Sequence, residues 1–209
     1  MALDLKKLSH FNGVSGPVFV VVMDGIGLGL KNEGNAVYLA DTPHLDMLMA
    51  KHPFIPIAAH GTAVGMASDA DMGNSEVGHN AIGCGRVFDQ GAKLVANSIQ
   101  TGSIFAGETW QKEIQNVKDH QSALHLISLL SDGNVHSHIH PPCALLKEAV
   151  SHDPKKVFVH ILLDGRDVSE TSALEYVRPL EELLSNFHKN GRTYKIASGG
   201  GRMITTMDR

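Results

Sequence analysis

The sequence has no long apolar run. Its best one, Val18 to Met23, falls far short of the roughly 20 residues a bilayer-spanning helix needs. It also lacks a charge excess of either sign. With 18 basic and 22 acidic residues the net charge is -4, so no nucleic-acid or membrane surface is expected. Cysteine is scarce. Cys84 and Cys143 stand far apart and read as free thiols of a reducing compartment, not as a disulfide framework. The opening residues, Met1-Ala-Leu-Asp-Leu-Lys-Lys-Leu, carry charges where a secretion signal carries its apolar run. A cytoplasmic protein is the expectation. No internal repeat or low-complexity tract interrupts the chain.

What is present suits one α/β domain or two small ones: 209 residues, 43% hydrophobic, enough for a real core. The densest stretch is His60 to Arg86, with six glycines and three acids in 27 residues. Neither the helix nor the strand period fits it, so it reads as a shaped loop leading into a helix start. Ser75 within it is flanked by Asn74 and Glu76 and bracketed by Gly73 and Gly78. A serine hydroxyl is weak until a base or a metal activates it. Ser75 is therefore either a nucleophile or an ordinary helix cap.

Upstream, Val18-Phe-Val-Val-Val-Met23 reads as a buried strand ending in Asp24-Gly25-Ile26-Gly27. The Gly-x-Gly-x-x-Gly spacing of dinucleotide sites is absent there. An acid at a strand end suits a hard divalent cation, which takes carboxylate and hydroxyl oxygens. Asp24 and Ser75 could supply two; Asp24 could equally cap its turn. Thr42 and Pro43 open a helix that Pro53 closes, and Ile55 to Ala59 reads as a short strand. Helices are expected over Gly91 to Gln100 and Ile104 to Lys118. A regular alternation follows: strand Ala123–Leu130, helix Pro142–Val150, strand Lys156–Leu163, helix Ser172–Lys189, strand Tyr194–Ala197. Ser172 and Glu175 suit a capping box, and Pro179 is expected to kink or split its helix. This β-α-β-α-β order predicts a mostly parallel sheet.

Polar clusters follow all three strands: Ser131-Asp-Gly-Asn-Val-His-Ser-His138, Asp164-Gly-Arg-Asp-Val168, and Ser198 through Arg209. Parallel strands put these on one edge. They offer Asp132, His136, Arg166, Asp167, Arg202 and Arg209. Arginine forks match phosphate and carboxylate oxygens, so a multiply charged anion is the expected ligand. His136 suits the same anion or a proton transfer near neutral pH. His138 and His140 are expected to face solvent, and a zinc site on the run His136–His140 is disfavoured by its place between a glycine turn and a proline pair.

Taken together, Val21-Val-Met-Asp-Gly-Ile-Gly27, His60-Gly-Thr-Ala-Val-Gly65, Asp69 to Asn80, Leu130 to Ser137, Leu163-Asp-Gly-Arg-Asp-Val168 and Ala197 to Arg209 resemble the cofactor-independent (2,3-bisphosphoglycerate-independent) phosphoglycerate mutases. The motifs run in the family's order over nearly the whole chain. The Ser-Gly-Gly-Gly-Arg-Met form is similar to the plant and trypanosomatid branch. The resemblance implies part of an alkaline-phosphatase-like metal domain over residues 1–85. It implies part of an inserted α/β glycerate-binding domain over 86–209, with mostly parallel sheets. It further implies a phosphoserine intermediate on Ser75 and two divalent metals, manganese first with magnesium or cobalt as alternatives. Asp24 and Ser75 would be metal ligands, and His136, Arg166, Asp167, Arg202 and Arg209 substrate contacts. The implied reaction interconverts 3-phosphoglycerate and 2-phosphoglycerate without free bisphosphoglycerate, in a monomer that contacts neither nucleic acid nor membrane. Family members are much longer and carry further metal and substrate ligands beyond this span. The chain is therefore expected to be an N-terminal portion, inactive alone. A related metal-dependent phosphatase or phosphomutase, or a non-catalytic fragment, are the competing readings.

Overall fold

The computed structural model describes residues 8–189 and 191–207. The chain divides into two units, Met1–Ile57 and Ala58–Arg209.

The first unit holds α1 (Ala36–Leu39) and α2 (Pro43–Lys51). Asn35 caps α1 by accepting from the Tyr38 N–H. Pro43 opens α2 as expected, but Thr42 makes no capping bond to its backbone; its hydroxyl donates to Asp46 instead. The two expected strands do not form: neither Val18–Met23 nor Ile55–Ala59 is in a ladder. A strand is held by its neighbours, and no described residue of this unit pairs as one. Phe19 is accordingly 85% exposed, despite a composition that suits a buried strand.

The second unit opens with a 3-10 turn, Gly61–Val64. It continues through α3 (Ser75–Cys84), α4 (Gly91–Gln100), α5 (Ser103–Ala106) and α6 (Glu108–His120). The single helix expected over 104–118 is divided at Gly107, whose extended backbone ends α5 and starts α6. Then come β1 (Ala123–Leu130), α7 (His140–Ser151), β2 (Lys156–Leu163), α8 (Ala173–Phe187), β3 (Thr193–Gly201) and α9 (Arg202–Thr205). The strands form one parallel sheet in the order β1-β2-β3. This is the predicted alternation. β3 runs four residues further than expected, through Ser198 and three glycines, because main-chain pairing with His160–Leu163 needs no side chain.

Alternate residues sort the two faces of the sheet. Val157, Val159 and Ile161 of β2 join Leu130, Tyr194, Leu146 of α7 and Tyr176, Leu180 and Leu184 of α8 in one buried cluster. The α8 residues recur every four positions, which makes one stripe. That stripe explains why Pro179 does not split the helix. An interior proline costs about 3 kcal/mol, and each buried leucine beside it contributes about 1.5–3 kcal/mol. The expected capping box is not made. Ser172 has near-helical backbone angles and no capping bond, because its hydroxyl donates to the Ser169 carbonyl. Both cysteines are free, Cys84 exposed and Cys143 half-buried.

Candidate active site

The carboxyl ends of β1, β2 and β3 meet as the parallel topology requires. At their centre is Asp164, at the end of β2, with its side chain fully buried. Its Oδ1 accepts from the backbone N–H of Arg166 (3.1 Å), the backbone N–H of Asp167 (3.1 Å) and Nη1 of Arg202. Gly165 between them has φ +67°, a conformation other residues rarely adopt. The same Arg202 nitrogen donates to Asp167 Oδ2 at 2.7 Å. Burial alone would raise the Asp164 pKa. The nearby Ser131 side chain, the turn N–H groups and Arg202 outweigh it, and its carboxyl is held below the usual range. Burial likewise works against the Arg202 charge, but Asp167 and Asp164 outweigh it and its pKa is raised.

The β1 cluster joins at two points. The Tyr176 hydroxyl donates to Asp132 Oδ1 at 2.7 Å, and that bond pushes the phenol's pKa up. Asn134, at φ +53°, donates through Nδ2 to Asp71 Oδ1 at 2.7 Å. This bond links the strand-end cluster to the serine loop. Asp71 Oδ2 accepts from the Ser68 N–H, and the Asp71 carbonyl accepts from the Gly61 N–H. Burial raises the Asp71 pKa, but Asn134, Ser68 and nearby His138 outweigh it and hold the carboxyl low. Asp69 accepts from the hydroxyl and N–H of Thr62, which lower its pKa. A β-carbon on Gly73 would lie 1.9 Å from the Ala59 carbonyl oxygen, so only glycine lets this loop close.

That loop delivers Ser75, exposed, to the first position of α3. Asn74 is the cap, accepting from the Val77 N–H at 3.0 Å, which corrects the alternative that Ser75 caps the helix itself. The first main-chain bond of α3 runs from the Gly78 N–H to the Asn74 carbonyl. The Ser75 and Glu76 N–H groups precede it, at the helix end that favours anions.

The other expected site residues divide plainly. Arg166 and His136 are exposed, and among the described residues Arg166 forms no salt bridge. Arg166, Ser169, Glu170, Tyr176 and Gly201 line a cleft of about 730 Å³. Arg202 is buried and engaged with carboxylates. Arg209 lies outside the described residues. Asp24 is an exposed turn residue of the first unit. His138 and His140 stand edge-on, 5.8 Å apart. Among the described residues no three histidine, cysteine or acidic side chains gather as a metal site. Asp24 and Ser75 have the donor chemistry for a hard divalent ion, but two donors are too few to hold one alone. Asp71, Asn134, Asp164 and Tyr176 are site residues that residue type and spacing do not single out as ligand contacts. The Asp-Gly-Arg-Asp spacing did carry a signal for Asp164, since an aspartate ahead of a turn accepts from the N–H groups two and three residues on.

The family profile described as BPG-independent PGAM N-terminus matches residues 95–209, more than half of the chain. The chain belongs to the BPG-independent phosphoglycerate mutase family. It is 53% identical over 207 residues to a probable 2,3-bisphosphoglycerate-independent phosphoglycerate mutase of Leptospira interrogans, covering 98% of this chain and 38% of that protein. It is 48% identical over 192 residues to the corresponding mutase of Trypanosoma brucei brucei, covering 91% of this chain and 35% of that protein. A crystal structure of Leishmania mexicana phosphoglycerate mutase at low cobalt concentration superposes with a TM-score of 0.79 at 47% identity. That match covers 90% of this chain and 34% of the other. The chain thus spans little more than a third of the length of these relatives. No helix among the described residues is long and apolar enough to cross a membrane.

Proposed function

We propose that this chain is the N-terminal part of a mutase that interconverts 3-phosphoglycerate and 2-phosphoglycerate through a phosphoserine at Ser75. The observation that carries the reading is the Asp71–Asn134 bond, which ties the loop presenting Ser75 to the cluster after β1 that bears His136, at the same sheet edge as the Arg166–Asp167 turn after β2. In this reading residues 1–85 are part of an alkaline-phosphatase-like metal domain, and residues 86–209 are part of the inserted glycerate-binding domain.

The chemistry is two transfers. The Ser75 hydroxyl oxygen bonds to phosphorus as the bond to the glycerate 3-oxygen breaks, and the serine proton ends on that oxygen. The glycerate 2-hydroxyl then takes the phosphoryl group, and its proton returns to Ser75. First-turn N–H groups of α3 favour the phosphoserine. Arg166 supplies free cationic charge for a substrate oxygen. Arg202 and Asp167 form the rigid floor beneath it, and His136 and Arg209 complete the substrate contacts. Asp24 and Ser75 would be among the ligands of two divalent ions, manganese before magnesium or cobalt. Such ions, when bound, lower the hydroxyl pKa and offset phosphoryl charge. The enzyme is cytoplasmic, monomeric and independent of added bisphosphoglycerate.

Ser75→Ala in the full-length protein is the test. A coupled enolase assay should read no 2-phosphoglycerate formation, with thermal stability unchanged. Turnover close to wild type would remove Ser75 as nucleophile. Release of inorganic phosphate by the unsubstituted protein, without enolase coupling, would favour a related phosphatase.

A further inference from the structure

We propose that Asp164 is a positioning residue for the anion crevice, one whose carboxylate sets the backbone of the Arg166–Asp167 turn and the Arg202 guanidinium together. The proposal rests on the reading that this crevice takes phosphoglycerate. A buried carboxylate is unfavourable unless it is paired and hydrogen-bonded. Asp164 meets that condition through Oδ1 alone, on elements that carry the candidate ligand contacts; its Oδ2 is buried without a hydrogen-bond partner among the described residues. One oxygen takes the N–H of Arg166, the N–H of Asp167 and Nη1 of Arg202. The first two bonds fix the turn from which the exposed Arg166 side chain leaves. The third holds Arg202 at the start of α9, and the same Arg202 nitrogen also donates to the Asp167 carboxylate. Asp164 therefore connects the clusters after β2 and β3, while its own side chain has no exposure to a ligand. Its action on substrate is indirect, through the preset geometry of its neighbours.

Two substitutions separate the bonds. Asp164→Asn keeps an acceptor for the two backbone N–H groups and removes the charge facing Arg202. Asp164→Ala removes all three bonds. Amide hydrogen exchange is one readout. Asp164→Ala should speed exchange at Arg166 and Asp167 at least tenfold, with Val159 and Ile161 in β2 unchanged, while Asp164→Asn leaves all four near wild type. Steady-state kinetics of the full-length protein are the other readout. Both variants should raise KM for 3-phosphoglycerate tenfold or more and change kcat less than threefold, alanine more than asparagine. Unchanged exchange in the alanine variant overturns the proposal. So does faster exchange with an unchanged KM, which would make the turn's order irrelevant to the ligand. If the alanine variant does not fold, the asparagine variant decides by its KM. If that variant also fails to fold, Asp164 is a folding residue and the proposal falls. Absence of mutase turnover in the unsubstituted full-length protein would overturn the functional reading, and this inference with it. Loss of the expected effects in an active enzyme overturns the inference alone.

Discussion

Replacing Arg202 by methionine removes one cation from between two carboxylates and roughly keeps the volume. Arg202 is 5% exposed, the Asp164 side chain is fully buried, and that of Asp167 is 12% exposed. Removing one partner of a buried pair costs about 3–5 kcal/mol, because the other charge is left uncompensated. Asp167 can recover some hydration, so the lower end, about 3 kcal/mol, is expected at pH 7. That is a large share of the 5–15 kcal/mol by which domains are typically stable. The loss should depend on pH. The folded Asp164 carboxyl titrates below its unfolded value. Its contribution is therefore present above an unfolded pKa of about 3.9 and is lost as pH falls through the lower folded value. Without Arg202 the buried Asp164 carboxyl protonates more readily, so the penalty shrinks in acid. The only tryptophan, Trp110, lies in the Ala58–Arg209 unit and packs edge-on against Phe105. Its fluorescence during urea unfolding reports that unit. Arg202→Met should lose about 3 kcal/mol at pH 7 and clearly less at a pH of about 3. A loss under about 1 kcal/mol at pH 7, or one equally large in acid, would refute a paired buried triad.

Asn74→Ala removes the cap on the Val77 N–H and should cost about 1 kcal/mol, read in the same urea titration; no change would mean that the cap is replaced by solvent. The 209-residue chain alone should show no enolase-coupled turnover with manganese, magnesium or cobalt. Turnover that scales with its concentration and vanishes with Ser75→Ala would overturn that expectation.

The sheet was legible because its signals were local. Val157 to Ile161 alternate with core partners on α8, and the strand–helix periods change cleanly at Ser131, Asp164 and the glycines before Arg202. Ser75 was legible as a special position for a similar reason: glycines frame it and an asparagine precedes it. Pairing was not legible. Val18–Met23 has the composition of a central strand, yet composition cannot supply a neighbour. The shift in register between Val159 and His160, which sets His160 Nδ1 at 2.7 Å from the Ser198 hydroxyl, has no marker in the sequence. Arg202 shows the same limit. As a residue type it reads as an anion fork, and only the fold reveals that two carboxylates of its own chain reach it first.

The fate of the acids in the serine loop bears on what this chain can do by itself. Asp69 and Asp71 closely precede Ser75 in sequence and are obvious further donors for a cation beside it. Both are committed elsewhere. Asp69 closes the loop onto Thr62. Asp71 holds Ser68 with one oxygen and Asn134 with the other, so turning it toward a metal would release the bond that ties the serine loop to the cluster after β1. A hard divalent ion seeks about six oxygen or nitrogen donors. With these two acids taken, the motif residues left to it are Asp24, Ser75 and Glu76, and water would have to fill the remainder. An ion held so loosely exerts little fixed field on the serine hydroxyl, which then keeps the low nucleophilicity of an ordinary alcohol. Two of the loop's three acids are thus groups that shape it, which leaves Glu76, exposed beside Ser75, as the loop carboxylate not engaged, among the described residues, in holding its fold.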